Sequence, residues 1–239
     1  MTKIKDKEIA VVIPTYNESS NIKMLLTKIY KVLPNGKVYL IDDSSAEENK
    51  RLMEKVKNTN AKVVSRMQKL GRGSAVIAGF KEALKDKDIK LIFEMDADLS
   101  HDPGEFPLFL DKMQSDSVDL VIGSRYLKRS KITNWPLWRL AMSRIINLFL
   151  NFLLGLRITD YTDGFRLYNR RAAEFLTKSK FKTSGFILLS ESSYTLKLNN
   201  FIISEVPICF IDRKHGESSM GIGELFISLY GILQVRFNK

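Results

Sequence analysis

Leu91-Ile92-Phe93-Glu94-Met95-Asp96-Ala97-Asp98-Leu99-Ser100-His101 decides the fold. Five residues, apolar but for Glu94, run straight into two carboxylates one residue apart. A run of this kind reads as a strand buried on both faces, which is the habit of parallel sheets. The strand stops where Asp96 begins. Ligands of open α/β sheets bind beyond the carboxyl ends of the strands. Asp96 and Asp98 therefore fall where a binding crevice is expected, and carboxylates buried there call for a cation.

The pattern repeats on either side. Ile9 to Pro14 is a second apolar run, closed by Pro14-Thr-Tyr16-Asn-Glu18. Ile22, Leu25, Leu26, Ile29 and Leu33 then mark one face of a helix. Val38 to Ile41 is a strand ending at Asp42-Asp43, followed by a polar helix over Glu47 to Lys57 with Leu52, Met53 and Val56 turned inward. Lys62 to Ser65 is a short strand. Gly71-Arg72-Gly73-Ser74 opens a helix through Leu84. Asp102-Pro103 starts another, with Phe106, Phe109, Leu110 and Met113 inward. Leu120 to Ile122 is a strand ending at Gly123-Ser-Arg125-Tyr126. Alternation of this kind predicts an α/β fold, a largely parallel sheet with helices on both faces. Asp42, Asp43, Asp96, Asp98 and Arg125 should then share one crevice.

Hard oxygen ligands suit Mg²⁺ or Mn²⁺, which bind few protein carboxylates plus substrate phosphates. A second acidic pair, Asp86-Lys-Asp88, lies in a charged stretch and reads as solvated surface. Lys and Arg outnumber Asp and Glu by 38 to 27, a formal charge of +11 in 239 residues. The excess favours anionic partners: nucleotides, lipid phosphates, phospholipid surfaces or nucleic acid. Cys209 is the lone cysteine, within a run read as a buried strand from Phe201 to Ile211. With two histidines, a cysteine-histidine zinc site is excluded. The N-terminus carries no signal-peptide core, so a cytoplasmic chain is expected.

Past residue 130 the alternation lapses. Trp135, Trp138, Arg139 and Arg144 lead into an apolar segment from Ile145 to Leu156, short of the about 20 residues of a membrane span. Tryptophan and arginine flanking a short apolar stretch fit an interfacial position. Ile222 to Val235 repeats helical spacing in the tail.

Five motifs in order make the chain resemble the family 2 glycosyltransferases of the GT-A fold, and within them the dolichyl-phosphate and polyprenyl-phosphate mannose synthases: Pro14-Thr-Tyr-Asn-Glu18, Asp96-Ala-Asp-Leu-Ser-His101, Gly123-Ser-Arg-Tyr126, Gly164-Phe-Arg-Leu-Tyr168, and Val206 to Arg213 with Gly216-Glu-Ser218. The resemblance spans roughly residues 8 to 221. It implies a Rossmann-like, mostly parallel mixed sheet over residues 1–221, amphipathic interfacial helices in the C-terminal half, and residues 222–239 as an amphipathic helix packed on the domain or continuous with it. It implies an inverting transfer of mannose from GDP-mannose to a polyprenyl or dolichyl phosphate. Pro14, Tyr16, Glu18, Ile41 and Asp43 would line the nucleotide pocket, with Asp96 and Ala97 beside the nucleotide. Asp98 would hold the metal, with Ser100 completing its shell. Arg125 and Arg213 would contact phosphates, a task suited to a permanently charged planar fork. The enzyme would sit on the cytoplasmic face of a membrane, alone or with a membrane-anchoring partner protein.

Other roles stand beside these. Glu18 can support a helix start, Asp42 can be structural, Arg166 can pair with Asp160 or Asp163, and His101 and His215 can be local hydrogen-bonding residues. Ser219 follows Gly-Glu-Ser where the family often has Lys, and Asp163 replaces a small residue. A UDP-sugar donor (glucose or N-acetylglucosamine) or a saccharide acceptor is the near alternative. A dinucleotide oxidoreductase fails because Val76 stands at the third glycine position. A P-loop is missing, and no nucleic-acid recognition motif accompanies the basic charge.

Overall fold

The computed structural model describes residues 4–115, 117–183, 185–212, 231–233 and 235–237. Arg213, His215, Ser219 and the 221/222 boundary lie outside them, as does most of the expected tail helix; residues 231–233 and 235–237 are helical.

Seven strands form the main sheet in the order β3-β2-β1-β4-β7-β5-β8. They are β1 (Ile9–Thr15), β2 (Lys37–Asp42), β3 (Ala61–Ser65), β4 (Leu91–Glu94), β5 (Leu120–Ser124), β7 (Arg166–Asn169) and β8 (Ile203–Pro207). All neighbours are parallel except β7, which runs antiparallel between β4 and β5. Two short strands, β6 (Lys131–Thr133) and β9 (Cys209–Ile211), pair with each other.

The continuous apolar runs are explained by two cores. Ile9, Val11 and Ile13 of β1 face one side, with Phe93, α1 (Ser19–Val32), α2 (Ala46–Val56) and α4 (Phe106–Ser115). Ala10 and Val12 face the other, with α3 (Arg72–Ala83), α5 (Leu137–Leu154), α6 (Arg170–Lys178) and α7 (Leu188–Leu198). Each fully buried Leu, Ile or Phe here contributes about 1.5–3 kcal/mol. Gly79 lets α3 lie directly on β1, because a Cβ there would collide with Val12.

Four expectations are corrected. Met53 is exposed; it lies about 100° round the helix from Leu52, and buried Asn49 takes the inner position, bonded to Asp42. The stretch from Phe201 to Ile211 is two strands in two sheets, broken at Ile208. Cys209 is exposed, because period-two alternation on β9 turns Phe210 inward instead. The apolar segment after Trp135 is longer than read: α5 has 18 residues and a mean hydropathy of 1.3, enough by length and composition to cross a membrane. Arg139 does not interrupt it, since its charge is matched by Asp212 at 2.9 Å and its guanidinium lies over Trp135. Its inner side is tied to the domain: Asn147 Oδ1 accepts from Tyr161 N–H at 2.7 Å, and Leu150 and Leu154 are buried.

Candidate active site

β1, β2, β4 and β5 all end at one edge of the sheet, and the acidic residues gather there. Each is positioned by a local device. Thr15 closes β1 and donates to Asp42 Oδ1 at 2.9 Å; Ser44 and Asn49 occupy the same carboxylate. Asp42 is thus a structural residue that fastens β1 to β2 and α2. Asn17 takes a left-handed backbone (φ 59) and donates its N–H to Ser44 Oγ, leaving Tyr16 exposed beside Lys69, whose ammonium lies 4.9 Å from the ring centre. Glu18 stands at the start of α1 and accepts from Asn21 Nδ2 at 2.8 Å. Pro14 and Ile41 are paired in the β1–β2 register.

Asp43 is buried and gripped by Arg66, Nε and Nη2 each 2.6 Å from a carboxylate oxygen; Leu70 N–H adds a third bond at 3.0 Å. Arg66 also touches Gly71 O at 3.4 Å. The next residue, Arg72, binds Asp96 Oδ1 through Nε at 2.7 Å and Glu94 Oε1 through Nη1 at 2.6 Å. Burial pushes the Asp96 carboxyl up, but the Arg72 guanidinium and then His101 outweigh it and hold it below the usual carboxylate range.

Asp98 is half-buried on the turn beyond β4. Leu99 adopts φ 65, a strained conformation for a branched side chain. The turn brings Ser100 N–H and Oγ back to Asp98 Oδ1 at 3.0 and 2.6 Å. Ser100 is buried and orients Asp98. These hard oxygens fit a divalent cation, and other carboxylates of this edge are paired with arginines, Asp43 with Arg66, Glu94 and Asp96 with Arg72, and Asp160 and Asp163 with Arg125. Ala97 is buried beneath the turn.

His101 joins this centre to the next loop. Its Nδ1 accepts Asp96 N–H at 3.3 Å, which leaves the ring proton on Nε2, 3.4 Å from Asp163 Oδ1. Burial lowers the imidazole pKa, yet Asp163 outweighs it and the net shift is upward. Asp163 Oδ2 in turn lies 3.3 Å from Arg125 Nε. Arg125 makes a two-pronged pair with Asp160, at 2.7 and 2.8 Å, and reaches Thr162 Oγ1 at 2.7 Å. It is boxed by Tyr126, Trp135 and Phe210. A phosphate would have to share this guanidinium with Asp160. Tyr126 carries the link on to α5 through its hydroxyl, 2.6 Å from Ser143 Oγ.

Arg166 is a structural residue. It is fully buried and donates to the carbonyls of Asp163, Tyr161 and Leu189 and to Ser193 Oγ, so the carboxylates of Asp160 and Asp163 go to Arg125. Arg66 and Arg72 escaped the sequence reading. Glu94 was the available signal, because a carboxylate inside a buried strand needs a buried cation.

Residues 10–177 match the family model described as glycosyl transferase family 2. The chain is 34% identical over 213 residues to the polyprenol monophosphomannose synthase of Mycolicibacterium smegmatis, covering 88% of this chain and 80% of that one. It is 32% identical over 227 residues to the undecaprenyl-phosphate mannosyltransferase of Micrococcus luteus, covering 92% of each. Among solved structures it resembles glucosyl-3-phosphoglycerate synthase of Mycobacterium tuberculosis in complex with Mn²⁺, UDP and phosphoglyceric acid, with a TM-score of 0.67 at 20% identity over 95% of this chain and 78% of that one. At that identity the likeness carries the fold, and the expected GT-A architecture is met.

Proposed function

Because the chain belongs to glycosyltransferase family 2, we propose that it moves mannose from GDP-mannose to a polyprenyl phosphate, with inversion at the anomeric carbon and the assistance of Mg²⁺ or Mn²⁺. One observation carries this reading. The Asp96-Ala97-Asp98 turn is joined, through His101, Asp163, Arg125 and Tyr126, to a helix whose outer face is apolar and exposed. Leu137, Trp138, Ile145, Leu148 and Phe152 of α5 are all more than 60% exposed. A water-soluble acceptor needs no such face; a lipid tail does.

The nucleotide pocket is formed by Pro14, Tyr16, Glu18, Ile41 and Asp43, with Asp96 and Ala97 beside the nucleotide. Asp98 would hold the metal, with Ser100, whose hydroxyl donates to Asp98 Oδ1 at 2.6 Å, completing its shell. When bound, the metal offsets negative charge that accumulates on the departing diphosphate. Arg125 and Arg213 share the phosphate charge. A phosphate oxygen of the acceptor attacks the anomeric carbon from the face opposite the diphosphate; that C–O bond forms as the bond to the nucleotide breaks, releasing GDP. The acceptor's second pKa is about 6, so it arrives ionised and no strong general base is required.

Residues 1–221 form the catalytic domain, with 222–239 as an amphipathic helix packed on it or continuous with it. The enzyme works as a peripheral protein at the cytoplasmic membrane face, by its own helices or with an anchoring subunit. The test is a panel of GDP-mannose, UDP-glucose and UDP-N-acetylglucosamine with Mg²⁺ or Mn²⁺ and a short polyprenyl phosphate. The expected product is the β-linked mannosyl phospholipid with GDP. Release of UDP, or transfer only to soluble sugars, would overturn the reading.

A further inference from the structure

One buried cation has no part in the chemistry above. Arg72 opens α3, and its side chain is 9% exposed. Its fork is spoken for on every side: Glu94 at 2.6 Å, Asp96 at 2.7 Å and Gly164 O at 3.5 Å. The other oxygen of Glu94 accepts from Tyr168 Oη at 2.9 Å. Gly164 leaves room for this arrangement, since a Cβ there would collide with Arg72 Nη2. A guanidinium so deeply placed is held by two carboxylates, and removing either would strand a buried charge.

The consequence falls on Asp96. Its carboxylate carries Arg72 and its backbone N–H carries His101, so both ends of the residue are fixed. Asp98 follows two residues later on the far side of Ala97, where Ser100 steadies one oxygen. A divalent cation approaching Asp96 would meet a full positive charge 2.7 Å behind its oxygen. Among the described residues no group of three or more His, Cys, Asp or Glu side chains is arranged to hold a metal.

We infer that Arg72 is a positioning residue that keeps Asp96 out of the metal's coordination sphere, so that the cation on Asp98 is completed by the donor's diphosphate and not by a second carboxylate of the chain. The inference rests on the assignment of Asp98 as the metal ligand. A cation held by one carboxylate is held weakly until phosphate oxygens join it. Metal and nucleotide then bind cooperatively, each tightening the other by the same factor.

The test follows free Mn²⁺ by electron paramagnetic resonance while the full chain is titrated, alone and with GDP or UDP. In the wild type the nucleotide should tighten Mn²⁺ binding by about tenfold or more. Asp96→Asn leaves Arg72 partly unbalanced beside the site and should weaken nucleotide-free Mn²⁺ binding by about tenfold or less through charge alone, while Asp98→Asn abolishes it. The double variant Arg72→Leu with Glu94→Gln removes the buried cation and keeps an acceptor for Tyr168. It should bind Mn²⁺ about tenfold tighter without nucleotide and show weaker coupling. If it folds, by circular dichroism and thermal melting, and binds no tighter, the inference falls. If it does not fold, Asp96→Asn decides: a loss as large as that of Asp98→Asn overturns the role of Arg72. Intact Mn²⁺ binding in Asp98→Asn, or none by the wild type with either nucleotide, instead overturns the metal assignment and the inference with it.

Discussion

The carboxyl edge of the sheet and the outer face of α5 are opposites. At the edge, buried charges answer one another: Asp43 with Arg66, Glu94 and Asp96 with Arg72, Asp160 and Asp163 with Arg125. On α5, Leu137 and Phe152 are more than 80% exposed, and Arg144 is the one charged side chain among the exposed positions of the helix. The first region is largely paired within the chain, with His101 Nε2 and Asp163 Oδ2 held by ion-pair contacts and no hydrogen bond, and can be rigid before any ligand arrives. The second gains nothing from the chain and acquires its free energy only from something apolar outside it. The carboxyl edge is therefore built by electrostatics, the outer face of α5 is left to the hydrophobic effect, and Tyr126 to Ser143 bridges them.

Breaking the satisfied region should cost most. Among the described residues, Asp160→Ala leaves buried Arg125 with Asp163 at 3.3 Å as its remaining anionic neighbour. The expected loss of stability is about 3–5 kcal/mol, read by urea unfolding. A loss below about 1 kcal/mol would mean that Asp163 alone satisfies the guanidinium and that the edge is less tightly built than its geometry suggests. Asp98→Ala comes next and should act on chemistry instead of stability. Asp98 is half-exposed, so melting should barely change, while kcat falls about 10²–10³-fold, the usual cost of one group facing developing charge. Turnover that survives at wild-type level would remove Asp98 from the mechanism.

The contrast also separates what the chain discloses from what it conceals. β1, β2, β4 and β5 were legible because burial on both faces writes an unbroken apolar run. The Asp98 turn was legible because it follows such a run. β7 was not: Arg166–Asn169 is four residues long and carries Arg and Asn, and it is a strand because β4 and β5 close on either side of it. Arg66 and Arg72 were hidden for a related reason. Their partners lie 23 and 24 residues away, and nothing local distinguishes a paired arginine from a solvated one. The α5 face was half legible; its apolar spacing showed, but which side would stay uncovered depended on where Asn147 docks.

The unsatisfied region can be broken without touching the fold. Leu148→Asp with Phe152→Asp changes two side chains that are 69% and 89% exposed, so stability in solution should stay within about 0.5 kcal/mol. Each apolar side chain moved into lipid is worth about 1.5–3 kcal/mol. Flotation with phosphatidylglycerol vesicles should therefore show at least about a tenfold loss of membrane affinity. Turnover should fall with a long-chain acceptor in vesicles and persist with a short, water-soluble prenyl phosphate. Equal losses with both acceptors would make α5 part of the catalytic scaffold and dissolve the contrast.

The smallest effect lies where the two regions meet. Glu205 on β8 accepts Thr159 N–H at 2.9 Å and Asp160 N–H at 3.0 Å, and so steadies the loop that presents Asp160 to Arg125. Burial pushes its carboxyl up; the bonds from Thr159 and Asp160 pull it down without cancelling the rise, and the Asp160 charge adds to it. A carboxyl raised in the folded state stabilises the fold most while protonated. That contribution is complete below its ordinary range and is lost as pH rises through the raised value. Glu205→Gln removes the titration and keeps one acceptor oxygen. The lead in Tm of the wild type over Glu205→Gln should accordingly shrink as pH climbs from the ordinary carboxyl range towards neutrality. The change should stay below the 2–4 °C that about 1 kcal/mol produces in a chain of this size. A lead that instead grew with pH would mean that the Thr159 and Asp160 N–H groups hold the carboxylate strongly enough to reverse the effect of burial. The loop would then belong to the charge-built region, with Asp160 oriented by an ionised Glu205.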